Sequence, residues 1–85
     1  MYFAYVLYSK SKNRLYYGFT SDLKRRLEEH QRGLVQTTQK MLPVILIYLE
    51  GYINENDARR REKFFKSGRG REFIRGQLKN TLENF

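Results

Sequence analysis

Residues Tyr2–Ser9 (YFAYVLYS) are aromatic or apolar at positions of both parities, the pattern of a strand covered on both faces and hence central in its sheet. A polar cluster, Lys10-Ser11-Lys12-Asn13, separates it from Arg14–Phe19 (RLYYGF), so a β-hairpin is expected. Thr20, Ser21 and Asp22 supply capping chemistry for a helix running to about Gln31, and Gly33 is placed to end it. Residues Gly33–Pro43 lack periodicity and read as a surface loop before an apolar strand, Val44–Tyr52. Asn54 is positioned to cap a second helix reaching Lys66. Gly68-Arg69-Gly70 interrupts the helical pattern, and Ile74, Leu78 and Leu82 then recur four apart, the mark of a third helix. The expected order is β-β-α-β-α-α, an α+β fold with a three-stranded antiparallel sheet flanked by helices.

Eighty-five residues suit one domain spanning 1–85 with one modest core. Seven Tyr and six Phe provide the bulk to close it. The absence of cysteine excludes disulfides, thiolate nucleophiles and Cys-ligated zinc, and suits a reducing compartment, so a cytoplasmic location is expected. The longest apolar run, Val44–Leu49, is too short to span a membrane, and the N-terminus lacks a signal-peptide pattern.

Charge narrows the choice of partner. Seventeen Lys+Arg against nine Asp+Glu leave a formal +8. Between Arg59 and Arg75 there are eight basic residues and only two acidic ones, Glu62 and Glu72. Such a stretch attracts polyanions, and nucleic acid is the first to consider, although many basic surfaces are only solvated.

Within the hairpin, an even loop of Lys10–Asn13 makes Leu7 face Tyr16 and Tyr5 face Gly18, with all four on one side. Tyr5 and Tyr16 become diagonal neighbours, and Gly18 leaves a small concavity lined by hydroxyls. Tyrosine is equally an ordinary strand residue, and a strand glycine often marks only a bulge. On the first helix, Leu23, Leu27 and His30 share one side, Arg26 borders them, and Arg25 points away. Arg26 can thus aim its fork at a phosphate while its stem packs. His30, the only histidine, either moves a proton, contacts phosphate, or is a helix-end residue interacting with the dipole. On the second helix Glu62 lies beside Ala58 and Phe65. It serves either as an oxygen ligand to Mg²⁺, which needs only one or two protein carboxylates, or as the partner of Lys66 in an i,i+4 ion pair.

Together these segments resemble the GIY-YIG nuclease superfamily, which includes the N-terminal domain of the bacterial excinuclease C subunit and small single-domain bacterial proteins. Phe3-Ala4-Tyr5 stands where the family has its first triad and Tyr16-Tyr17-Gly18 where it has the second. TSDLKRRLEEH resembles the helix carrying the family's arginine and histidine, and DARRREKFFK the helix carrying its metal-binding glutamate. Phe3 and Ala4 replace the first triad's Gly and Ile, and Asn80 and Asn84 are the two candidates for the family's late asparagine, neither assigned a catalytic role. The resemblance implies a divalent-metal endonuclease that hydrolyses phosphodiester bonds, of DNA by family analogy. Glu62 would hold Mg²⁺ or Mn²⁺, Arg26 would clamp the phosphate, Tyr5 would position or deprotonate water, and Tyr16 and His30 would assist. It further implies that Thr38 and Lys40, with Arg59, Arg60, Lys63, Lys66, Arg69 and Arg71, hold the nucleic-acid backbone. A catalytically silent nucleic-acid-binding module and a subunit that needs a protein partner are the alternatives.

Overall fold

The structure, a computed structural model, describes residues Met1 through Phe85. Its elements are β1 (Tyr2–Ser9), β2 (Arg14–Thr20), α1 (Leu23–Gln31), α2 (Gln36–Gln39), β3 (Val44–Tyr52), α3 (Glu55–Phe65), α4 (Gly68–Gln77) and α5 (Lys79–Glu83). The three strands form one antiparallel sheet in the order β2-β1-β3. The α+β class and the central position of β1 are as the residue pattern implies.

Because successive side chains of β1 point to opposite faces, the strand feeds a core on each side. Ala4 and Val6 pack with Tyr17, Phe65, Ile74 and Leu78 beneath α3 and α4. Tyr5 and Leu7 pack with Met41 and Val44, flanked by Tyr16, Leu23 and Leu27 beneath α1. The hairpin register is the expected one: Tyr5 pairs with Gly18 and Leu7 with Tyr16.

The helix starts follow capping chemistry. Asp22 Oδ1 accepts from Arg25 N–H at 3.1 Å, Asn54 Oδ1 from Asn56 N–H at 2.8 Å, and Ser67 Oγ from Gly70 N–H at 3.1 Å. Gly33, at φ +73°, turns the chain out of α1 in the left-handed conformation glycine tolerates.

The structure departs from expectation in two segments. Gly33–Pro43 contains α2, and Val35, Thr38 and Met41 are buried at intervals of three, one face of a helical turn. The expected third helix begins at Gly68, because Ser67 caps it there, and divides at Leu78 into α4 and α5. Gly70 is therefore inside the first turn of α4, where it lets the helix approach the Phe64 carbonyl.

One polar group ties β3 to α3. Arg61 donates from Nε and from Nη2 to the two Glu50 carboxylate oxygens, at 2.8 and 2.9 Å. The hydroxyls of Tyr48 and Tyr52 donate to the same carboxylate at 2.8 and 2.6 Å. Burial pushes the Glu50 carboxyl up, but the hydrogen bonds from Arg61, Tyr52 and Tyr48 outweigh it and hold it down at about 2. The guanidinium also lies over the rings of Phe64, Phe65 and Phe73. Arg61→Ala would leave this carboxylate its two phenol donors but no counter-charge. A loss of roughly 2–4 kcal/mol is expected, toward the buried end of the ion-pair range, measured as a shift in urea midpoint with unchanged slope.

Candidate active site

Tyr5 is fully buried, with its ring lying directly over Gly18. A β-carbon at Gly18 would overlap the phenol, so the concavity expected at Gly18 is filled by Tyr5 itself rather than open. Tyr16, the diagonal neighbour, has its ring centroid 6.4 Å from that of Tyr5. The His30 ring completes the group at 5.8 Å from Tyr5 and 5.2 Å from Tyr16, edge-on to both.

His30 is fully buried at the last turn of α1 and its two ring nitrogens are both occupied. Nε2 lies 2.8 Å from the Tyr5 hydroxyl and Nδ1 lies 2.7 Å from Thr38 Oγ1. The Thr38 hydroxyl also faces the Val35 carbonyl at 3.5 Å, which only accepts. Thr38 therefore donates to Val35 and accepts from His30 Nδ1–H, leaving Nε2 as the acceptor of the Tyr5 O–H. Burial and the nearby Arg26 charge push the His30 pKa below its ordinary value, keeping the ring neutral. Burial raises the Tyr5 phenol to about 12, against an opposing pull from Arg26.

The sign of the acid response follows from His30. The unfolded chain takes up its imidazole proton near 6.5 while the folded chain does so at a lower pH. Between those values the unfolded state binds more protons, so stability falls as pH drops below 6.5. The corresponding Glu50 window runs from 4.5 down to about 2. A fall in urea midpoint as pH drops below 6.5 is thus expected from His30, and His30→Gln should flatten it.

Arg26 approaches the Tyr5 hydroxyl closely enough to affect its ionisation, and its Nη1 donates to Glu29 Oε1 at 3.0 Å. Glu29 thus orients the guanidinium beside the phenols. Glu62 comes from α3, and its charge reaches Tyr5, raising the phenol's pKa further as the weakest of the influences on it. Its ion-pair partner is Lys66, one turn on. Tyr5, Tyr16, Arg26 and His30 are thus brought together directly, whereas Glu62 joins them through its field.

No group of three or more His, Cys, Asp or Glu side chains is arranged to hold a metal. A single carboxylate with one side exposed nevertheless suits Mg²⁺ or Mn²⁺, hard cations that take oxygen ligands and retain water. Glu62, paired only with a flexible and half-exposed lysine, fits that requirement.

Of the residues expected along the nucleic-acid backbone, Thr38 does not qualify. Its side chain is fully buried and engaged by His30, because α2 turns that position inward. Lys40, Lys63, Arg69 and Arg71 are exposed. Arg59 and Arg60 are exposed and paired with Glu55 and Asp57, and Lys66 with Glu62. The roles of Thr38 as a support for His30 and of Glu29 as a support for Arg26 were not legible in advance. The three-residue spacing of Val35, Thr38 and Met41 was the available signal for the first.

A model of the GIY-YIG catalytic domain matches residues 1–74. The chain is 42% identical over 65 residues to a UPF0213 protein of Streptococcus agalactiae, covering 75% of this chain and 73% of the relative. It is 38% identical over 82 residues to the UPF0213 protein YsiG of Lactococcus lactis, covering 95% and 78%. A UPF0213 protein of Pediococcus acidilactici is 35% identical over 83 residues, covering 94% and 83%. No solved structure gives a significant match. The match spans the strands of Tyr5 and Tyr16, the Arg26–His30 helix and the Glu62 helix, and the chain belongs to the GIY-YIG family.

Proposed function

We propose that this protein is a divalent-metal-dependent endonuclease that hydrolyses phosphodiester bonds in nucleic acid, DNA in the first instance. The observation that carries the reading is the Tyr5–His30–Thr38 hydrogen-bonded line with Arg26 beside the Tyr5 hydroxyl. A phenol at about 12 is too weakly acidic to act as a free base at neutral pH. Paired with a neutral imidazole, its hydroxyl, covered in the free protein and reached by water only as the site opens to substrate, passes its own proton to His30 Nε2 as it takes one from the attacking water. The water oxygen forms the new bond to phosphorus, the bond to the departing sugar oxygen breaks, and that oxygen takes a proton from solvent. Arg26 holds a non-bridging phosphate oxygen, and Tyr16 flanks the attacking side through its hydroxyl. A cation bound at Glu62 supplies Lewis-acid stabilisation of the charge that develops on the phosphate.

The second reading, a binding module without turnover, is favoured by one feature. The charged ends of the site are already matched within the chain, Arg26 by Glu29 and Glu62 by Lys66. Incubation of labelled single-stranded, duplex and branched DNA, and of RNA, with Mg²⁺, Mn²⁺ or EDTA separates the two. Cation-dependent products support the nuclease. Salt-sensitive binding with no product from any substrate supports the module.

No helix of the protein is long and apolar enough to cross a membrane. The exposed Lys63, Arg69 and Arg71 on α3 and α4, with Lys40 after α2, are assigned here to the nucleic-acid backbone, which they would hold without reading its sequence.

A further inference from the structure

Arg59 differs from the other exposed cations of the basic stretch. Its guanidinium carbon sits 4.1 Å from the centroid of the Phe19 ring, and its Nε donates to Glu55 Oε2 at 2.7 Å. Phe19 is itself backed by Tyr2, whose ring is nearly parallel at 9° with centroids 6.3 Å apart. An arginine whose guanidinium is held by both a ring and a carboxylate has already given up much of its rotamer freedom, so a ligand placed on it loses little more. Yet 56% of the side chain remains exposed, so these two contacts do not close the cation off from solvent. The neighbouring Arg60, held only by Asp57 and 78% exposed, has no ring beneath it.

The position matters as much as the geometry. Arg59 precedes Glu62 by three residues on α3, so the two project from one side of the helix with β-carbons roughly 5–6 Å apart. That is the scale separating a backbone phosphate from its own or the adjoining base. Phe19, paired with Ala4, puts the platform on the α3 face of the sheet, so it adjoins the site through Glu62 and not through the phenols. A guanidinium plane offers a stacking surface to any base, and only an unpaired, frayed or extruded base has a free face to place on it.

We propose that the Phe19–Arg59 pair is a stacking platform for an unpaired nucleobase next to the phosphate being cut, so that the preferred substrate carries single-stranded character at the cleavage point. This rests on the nuclease reading and adds the substrate class to it. It assigns Arg59 to a base, in place of the backbone contact that charge alone suggests.

The test is binding in EDTA, where no cleavage occurs, of a single-stranded oligonucleotide carrying 2-aminopurine and of the same strand in duplex form. Wild type is expected to quench the 2-aminopurine and to favour the single strand. Arg59→Lys keeps the charge and loses the plane. Stacking on a side chain is worth about 1 kcal/mol or more per base, so single-strand affinity should fall about fivefold or more. Duplex affinity and the salt slope should not change. Phe19→Leu, which removes the surface on which Arg59 rests, should act in the same direction. If Arg59→Lys leaves single-strand affinity intact, or weakens both forms equally, the platform is wrong, although cation-dependent cleavage would still support the nuclease. If wild type binds neither form, both proposals fall together.

Discussion

Replacing Tyr5 by Phe is expected to lower the cleavage rate by about 10²–10⁴-fold, the range for losing a positioned proton-transfer group. The ring would still fit over Gly18, since no atom is added. What disappears is the hydroxyl bonded to His30 Nε2, the group through which the proposed mechanism passes the proton of the attacking water. The substitution also leaves that buried nitrogen without its partner, costing about 1–3 kcal/mol, so rates should be compared below the melting transition of the variant. Single-turnover cleavage resolves the effect, because DNA affinity should be unchanged when the basic surface is intact. A Tyr5→Phe protein cutting within a few-fold of wild type would remove Tyr5 and His30 from the chemistry together.

Gly70→Ala is expected to be the most damaging single methyl addition in the protein. A β-carbon there runs into main chain, the Phe64 carbonyl and the Phe65 α-carbon, and no side-chain rotation can relieve it. The α3–α4 junction would have to open, displacing Phe65 and Ile74 from the core over β1. A cost of about 4 kcal/mol or more is expected, in the exceptional tail for point substitutions, against a total stability of order 5–15 kcal/mol. Equilibrium urea unfolding measures it. Gly76, on the same helix with nothing within reach of a β-carbon, is the control: Gly76→Ala should be neutral or stabilising.

Much of this arrangement was legible from residue order alone, and the reasons are local. The even loop between β1 and β2 sets the parity of the hairpin, which places Tyr5 against Gly18 and Tyr16 on the same side. The 100° periodicity of α1 sends His30 inward and leaves Arg26 at the border. Contacts between distant segments were not legible. Arg61 counts as one more basic residue in its stretch until the fold brings Glu50, eleven positions earlier, beneath it. Thr38 looked like a loop hydroxyl because α2 is only four residues long, too short for a periodic pattern to stand out. Glu62 admitted both a cation and Lys66 as partner. The ion pair is present in the protein, while the carboxylate stays near enough to Tyr5 for its charge to be felt there.

The fold also accounts for how the site is held. Each polar group that faces the phenols is supported by a second one, Arg26 by Glu29 and His30 by Thr38. α3 is fastened to β3 through Arg61 and Glu50, one residue before Glu62. No buried side-chain nitrogen or oxygen is left without a partner. A constellation supported in this way loses little freedom when substrate arrives, which favours catalysis by positioning.

In the proposed mechanism a carboxylate on α3 and a phenol–imidazole pair formed between β1 and α1 act on one phosphate. Its most direct test is single-turnover cleavage of an end-labelled oligonucleotide by wild type and by Glu62→Gln, across a Mn²⁺ titration. Products from wild type that require Mn²⁺, and their loss at every Mn²⁺ concentration in Glu62→Gln, are the predicted result. Equal cleavage by the two proteins, or none by wild type at any Mn²⁺ concentration, would contradict it.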